Sequence, residues 1–294
     1  MSRPNPLKAD PTKTATLRRK FLADVTRHFR KIAKAIYQKI NTEDSFGLKP
    51  RYFILQEMNS LTINLEWAAL SSSEQASAFR DWLATEVTID ILAAAVTTEE
   101  AWWTTYIQQA YEKGMGRSYD DMLASGYITS TQDIGPDFYL GTKESFLRSS
   151  FLQPVHAEKI KLLAERVLNE LEGVTASMAQ VITRELIDGL IAGNSPLEIA
   201  DALVEKLGLS ARRAETIART EIIRAHAEGQ LDALERLGAK KLRVMVEWSA
   251  AGDDRTCPLC ADKDGQVIPI DEARGVIPLH PNCRCAWIPA NVGE

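Results

Sequence analysis

A mainly α-helical fold, an extended multi-helix body ending in a small α+β module, follows from three features of this sequence. Apolar residues recur every three or four positions through most of the chain, the period of an amphipathic helix. From Leu242 the pattern changes to alternation, the period of a half-buried strand. All four cysteines, Cys257, Cys260, Cys283 and Cys285, fall in one 29-residue window, where random placement would gather them only about once in a few hundred chains.

With 294 residues, 45% of them hydrophobic, the chain is long enough for a sizeable core and for more than one domain. Its first twenty residues are polar and basic without an apolar stretch, and its longest aliphatic run, Ile91 to Val96, is far short of a bilayer span. The expectation is a soluble protein without a standard secretion signal. Disulfide frameworks belong to small secreted domains, so the clustered cysteines read as reduced thiolates of a cytosolic compartment.

Charge is unevenly spread. Residues 1–40 hold eleven Lys/Arg and two Asp/Glu, a net of +9, so the whole-chain charge of −5 leaves −14 on the rest. Within this arm Leu17, Phe21, Val25, Phe29, Ile32, Ile36 and Ile40 form a helical stripe. Arg18, Arg19, Lys20, Arg27, Arg30, Lys31 and Lys34 fill the other faces. They are candidate contacts for phosphates or an acidic partner, against the plainer alternative of a solvated face over a packed stripe.

Further along, "TTEEAWWTTYIQQAYEKG" offers a capping box in Thr97 and Glu100, with Gly114 as a stop or a tolerated interior glycine. Residues 126–141, rich in Gly, Thr and Asp, read as a loop or boundary. Two helices are expected on either side of Gly173. Gly193 then ends a helix, Ser195 caps the next with Pro196 at its first position, and Glu198 completes a capping box. Gly208 is expected to close that short helix, and Ser210 to start another that runs to Gly238. The pair is like a helix-turn-helix in its connection only, and packing is the favoured role. This divides the chain into a basic arm at 1–45, a helical domain at 46–145, a second helical part at 146–241 and the small module at 242–294.

The module opens with a strand that sets Leu242, Val244, Val246 and Trp248 on one face. Asp264-Gly265 is a hairpin-type turn before a second short strand. Cys257-Pro-Leu-Cys260 is a knuckle whose spacing lets two thiolates hold one tetrahedral ion. His280, Cys283 and Cys285, after 19 intervening residues, supply the second half. Thiolate and imidazole donors favour zinc, and a site filled by four protein ligands is structural, with five candidates for those four places and no catalytic residue assigned. A module of about 50 residues has too little core to stand comfortably without such a staple. Arg284, between two thiolates, is placed to offset their charge. Rival readings are a thioredoxin-like redox pair, a nucleophile formed by His280 with Cys283 or Cys285, a nuclease whose catalytic ion lies among Asp253, Asp254 and His226, and plain buried cysteines.

"ARTEIIRAHAEG", "WSAAGDDRTCPLCADKDGQV" and "HPNCRC", in this order and spacing, resemble the phage Mu F-like minor head proteins, also called phage head morphogenesis proteins. The resemblance covers about residues 145 to 288 and includes the "GNSPLEIADAL" turn. Arg219, Thr220 and Glu221 match one family signature, and Cys257, Cys260, Asp264, Gly265, His280, Pro281, Cys283 and Cys285 match the other. The resemblance implies a virion protein of a tailed phage, inside the capsid near the portal and in the host cytoplasm during assembly. Implied partners are the portal protein, the major capsid protein and phage double-stranded DNA, without a membrane. Some relatives are linked to DNA packaging or ejection. The family implies no agreed enzymatic activity, although its domain occurs in toxin-like fusions, so a metal-dependent nuclease or toxin-like enzyme is the alternative.

Overall fold

A computed structural model describes residues 10–49, 66–87, 91, 101–128 and 141–291. Six helices carry most of them: α1 (Ala15–Tyr37), α2 (Ser72–Val87), α3 (Thr104–Ala124), α4 (Lys143–Phe151), α5 (Pro154–Ala192) and α6 (Pro196–Arg236). A π-helical turn at Gln38–Thr42 continues α1. The C-terminal region follows with β1 (Val244–Ser249), the short helix α7 (Pro258–Ala261), β2 (Val267–Ile268), another short helix α8 (Ile270–Ala273) and β3 (Ala286–Asn291). Among the described residues no helix is long and apolar enough to cross a membrane.

These elements group into two compact units, and the grouping does not follow the four consecutive segments expected from composition. One unit takes its residues from 1–22, 97–167 and 216–294, the other from 23–96 and 168–215. Three helices, α1, α5 and α6, are therefore divided between units. A boundary of that kind lies inside a helix, where no turn residue marks it.

The stripe expected on α1 is buried at every position: Leu17, Phe21, Val25, Phe29, Ile32, Ile36 and Ile40 are all at most 4% exposed. In the second unit its lower half joins an aromatic group of Phe46, Trp67 and Phe79, with Phe46 and Trp67 centroids 5.2 Å apart. Leu171, Val174, Met178, Ile182 and Leu186 of α5 and Ile199, Leu203 and Leu207 of α6 are also buried in that unit. Gly193, in the left-handed region at φ +70°, ends α5. The capping box starts α6: the Ser195 amide and hydroxyl donate to Glu198 Oε2 at 2.8 Å, and the Glu198 amide donates to Ser195 Oγ at 3.3 Å.

Two expected breaks are absent. Gly173 lies within α5 and Gly208 within α6, so neither a second helix at Ser210 nor a helix-turn-helix connection at Gly208 forms, while Gly114 is an interior glycine of α3. An interior glycine costs a helix about 1 kcal/mol, and a continuous buried stripe outweighs that. Leu203, Leu207, Ala214, Ala218 and Ile222 carry such a stripe through Gly208. The Thr97–Glu100 capping box and residues 129–140 of the expected loop lie outside the described residues.

In the first unit α3 and α6 cross closely enough to need two glycines. A Cβ on Gly114 would overlap the carbonyl of His226, and one on Gly229 would overlap the carbonyl of Tyr111. Around this crossing Tyr111, Met115, Phe146, Ile223 and Leu234 join Val246, Trp248, Ile277 and Trp287 of the C-terminal region in one core. The sheet is antiparallel in the order β2-β1-β3, with Trp248 opposite Trp287 and Val246 opposite both Ile268 and Pro289. Val244, Val246 and Trp248 face inward as the alternation required.

Gly229→Ala is expected to destabilise the protein by about 3 kcal/mol or prevent folding, because two backbones meet there. Gly173→Ala, with nothing near its position, should stabilise by about 0.5–1 kcal/mol; urea titration of both variants checks the pair. His226 supplies a second test. Its complete burial pushes the ring down to about 3, whereas the unfolded side chain titrates near about 6.5. Between those values the unfolded chain binds a proton that the folded one does not, so stability falls as pH drops below about 6.5. Relative to His226→Gln, the wild type should lose up to about 1.4 kcal/mol per pH unit between about pH 6 and 4; parallel stability curves would exclude this role for His226.

Candidate metal centre

Cys257 caps the short helix α7, with extended backbone (φ −73°, ψ 157°) and Pro258 directly after it. That geometry turns the amide of Cys260 toward Cys257 Sγ, 3.4 Å away, and brings both sulfurs to one side of the loop. The second half is a tight turn in which the Cys283 amide donates to the His280 carbonyl at 3.1 Å and Asn282 adopts φ +62°. It leads directly into β3.

The two halves converge. His280 Nε2 lies 3.1 Å from both Cys257 Sγ and Cys260 Sγ, and Cys260 Sγ lies 3.9 Å from Cys283 Sγ. Two overlapping groups result, Cys257/Cys260/His280 and Cys260/Cys283/Cys285, each with donor atoms within 4.8 Å of one another. Zn–S bonds of about 2.3 Å in a tetrahedron place sulfurs about 3.8 Å apart, so this donor set fits a zinc-type ion in chemistry and scale. His280 Nδ1 lies 2.8 Å from the Pro281 carbonyl, a contact that holds the ring proton on Nδ1 and leaves Nε2 as the donor to a metal.

Ionisation differs across the cluster. A hydrogen bond from the Cys285 thiol, helped by the amides of Cys285 and Leu279, outweighs burial and brings Cys283 down to about 5. The same bond together with burial pushes Cys285 far up. Burial pushes Cys260 up to about 12, while the Cys260 amide lowers Cys257. Cys257 and Cys283 are thereby biased toward the thiolate, and a divalent ion among these donors would balance that charge.

Arg284 is anchored chiefly by a carboxylate, although the Cys285 sulfur also acts on its charge. It forks onto Asp253, with Nη1 2.6 Å from Oδ2 and Nη2 bonded to Oδ1, and this pair holds the Asp253 carboxyl well below its ordinary range. Asp253 also accepts the Arg255 amide at 3.1 Å, so it clamps its own loop. The second ion site imagined among Asp253, Asp254 and His226 is not assembled: Asp254 is exposed, His226 is sealed at the α3/α6 crossing, and they form no donor cluster among the described residues. His280 meets Cys257 and Cys260, not Cys283 or Cys285 as the nucleophile reading required.

The signature residues have structural partners. Thr220 Oγ1 accepts the Asn282 amide at 3.1 Å and thereby ties α6 to the ligand turn. Glu221, 4% exposed, pairs with Arg166 of α5 at 3.2 Å and with Arg224 at 3.1 Å. Asp264 accepts the Ala250 amide at 2.8 Å, and Gly265 takes the left-handed φ of +81° that the β1–β2 turn demands. Of the basic arm, Arg18 pairs with Asp10 and Arg27 with Asp24, while Arg19, Lys20, Arg30, Lys31 and Lys34 are exposed on α1.

Sequence reasoning missed the rest of the seat. Gln230 accepts the Trp287 amide at 3.1 Å and donates to its carbonyl at 2.7 Å, so a side chain on α6 mimics a neighbouring strand. Arg274, just after α8, reaches Glu228, Asp232 and Glu235 on α6 at 3.2, 2.7 and 2.6 Å. No local pattern announces these pairs, because their partners lie 39 to 57 positions away.

The fold and site define a helical protein with a C-terminal Cys/His module of metal-binding type. Residues 180–288 match the family described as Phage Mu protein F like protein. Through this region the chain resembles the phage head-morphogenesis, or minor head, proteins. It is 32% identical over 138 residues to the minor head protein GP7 of Bacillus phage SPP1, covering 42% of this chain and 44% of that one. It is 29% identical over 124 residues to an NAD(+)--arginine ADP-ribosyltransferase of Enterococcus faecalis, covering 38% of this chain and 26% of that one. An uncharacterized protein of Haemophilus influenzae is 26% identical over 199 residues, covering 62% of this chain and 42% of that one. The chain thus spans less than half the length of the curated relatives it matches. No solved structure matches it.

Gln230→Leu strands two buried backbone groups of Trp287 and is expected to cost about 3 kcal/mol. Thr220→Val, which removes one acceptor at a half-open turn, should cost about 1 kcal/mol. Chemical denaturation checks the order, and a larger loss for Thr220→Val would contradict it.

Proposed function

We propose that the chain acts as a minor head protein of a tailed phage, inside the capsid near the portal, and that its C-terminal module is stapled by one structural zinc ion. The observation that carries the zinc reading is the convergence of His280 Nε2 on two thiol sulfurs at 3.1 Å with a third sulfur 3.9 Å from Cys260. In this reading Cys257, Cys260, His280 and Cys283 are the ligands, and Cys285 supports Cys283 by its hydrogen bond. Four protein ligands leave no open position for water, so the ion braces the two loops and carries out no chemistry.

The match of residues 180–288 to the family model and the similarity to a minor head protein support the assembly role. Portal and major capsid proteins are the proposed partners, and the basic residues of α1 are proposed to meet packaged DNA or an acidic portal face, where each phosphate contact gains from counterion release. Participation in DNA packaging or ejection follows from the same position beside the portal.

Purified protein should carry about one equivalent of zinc by elemental analysis. Cys283→Ser should lose most of it, and Cys285→Ser should retain more than half. When coexpressed with the portal protein of its phage, the chain should copurify with it and be found by mass spectrometry in purified heads. Magnesium-dependent DNA cleavage, or transfer of ADP-ribose from NAD(+) to an arginine peptide, lost on His280→Ala, would overturn the purely structural account.

A further inference from the structure

Five arginines line one cleft of about 490 Å3 in the first unit: Arg18 and Arg19 of α1, Arg219 of α6, and Arg255 and Arg284 from the loops around the Cys/His cluster. Two carboxylates, Asp10 and Asp253, share the wall, so the cleft carries a local excess of three positive charges in a chain whose net charge is −5. Asp10 and Asp253 hold Arg18 and Arg284 in position by ion pairs. Burial, and repulsion from Arg284, Arg219 and Arg255 that works against Asp10, lower the Arg18 guanidinium from its ordinary value. Guanidinium groups from four separate segments are thus near enough to oppose one another, a strain that a polyanion relieves.

The ligand chemistry follows from the residue type and the surroundings. A guanidinium presents a planar fork that matches two phosphate oxygens, and lysine is absent from this lining. Ala15, the first residue of the 23-residue α1, also lines the cleft, and the first turn of α1 contains no acidic side chain, so the positive end of the helix adds to the field. The volume lies in the range of ligand sites. A phosphodiester chain carries a full charge at every residue, which suits arginines drawn from successive segments better than scattered carboxylates do.

We propose that this cleft grips the phosphates of a nucleic-acid backbone. The proposal rests on the reading that the basic arm meets DNA, and it places the main contact at the cleft rather than along the outward face of α1. Arg219 of the family signature is then a phosphate contact, and the Cys/His cluster acts as the brace that positions Arg255 and Arg284.

The test measures binding of a fluorescein-labelled duplex to full-length, zinc-loaded protein by anisotropy at several salt concentrations. The combined variant Arg19→Gln, Arg219→Gln, Arg255→Gln is expected to weaken binding at least about tenfold and to flatten the salt dependence by about 0.9 for each phosphate no longer neutralised. Arg80→Gln, Arg184→Gln, Arg213→Gln, exposed on α2, α5 and α6, should stay within about twofold of the unaltered protein. If the combined cleft variant loses zinc or fails to fold, Arg255→Gln alone carries the test, since its side chain is 79% exposed; a weakening of about threefold is expected. Weaker binding by Arg27→Gln, Arg30→Gln, Lys31→Gln, on the later turns of α1, with the cleft variant unaffected overturns the cleft and leaves the arm reading in place. No duplex binding by the unaltered protein overturns both. Inorganic phosphate that binds the cleft while the duplex does not removes nucleic acid as its source. Oligoglutamate of equal charge competing as well as unlabelled duplex overturns the phosphate assignment in favour of an acidic protein.

Discussion

Two loops that are far apart in the chain have to meet at one point, and the C-terminal module depends on that meeting. Cys257 and Cys260 follow β1, whereas His280, Cys283 and Cys285 precede β3, and His280 Nε2 closes the gap at 3.1 Å from two sulfurs. Between them β2 contributes only Val267 and Ile268, too short a strand to fix the intervening chain by ladder bonds alone. Loops of that kind lose much conformational freedom on folding, and a small sheet buries little apolar area in return. An ion bound to both loops offsets that loss because ligands are gathered only in the folded chain.

Helix α6 translates this local arrangement into the helical body. Over successive turns it presents Thr220 to the ligand turn, Gln230 to the backbone of β3, and Glu228, Asp232 and Glu235 to Arg274. Gly229 lies within the same stretch and lets α3 approach. The signature around Arg219, Thr220 and Glu221 is therefore a docking device: one residue bonds the module, one is buried with an arginine of α5, and one lines the arginine cleft. A plain amphipathic helix would need none of these polar side chains at buried positions.

Much of this was legible from local pattern. The stripe from Leu17 to Ile40, the Ser195–Glu198 capping box, the alternation in β1 and the turn at Asp264-Gly265 are all decided within a few residues, where period and backbone chemistry act. The candidate metal donors were also visible, since thiols are rare and their spacing is restrictive. Helix length was not legible, because Gly173 and Gly208 carry a local cost that only tertiary burial repays. The close approach at Gly114 and Gly229 was passed over for a related reason: its purpose is a partner helix more than 100 residues away in sequence. The pairing of Arg284 with Asp253 spans 31 positions and likewise escapes any local rule.

The central claim is that a metal holds the module against α6. Amide hydrogen exchange, followed by mass spectrometry before and after zinc is removed by a chelator, addresses it directly. Protection in β1, β3 and the loops at 250–265 and 277–286 should collapse on chelation, while α3 and the glycine crossing of α6 keep most of theirs. Unchanged protection across residues 244–291 after complete zinc removal would contradict the account.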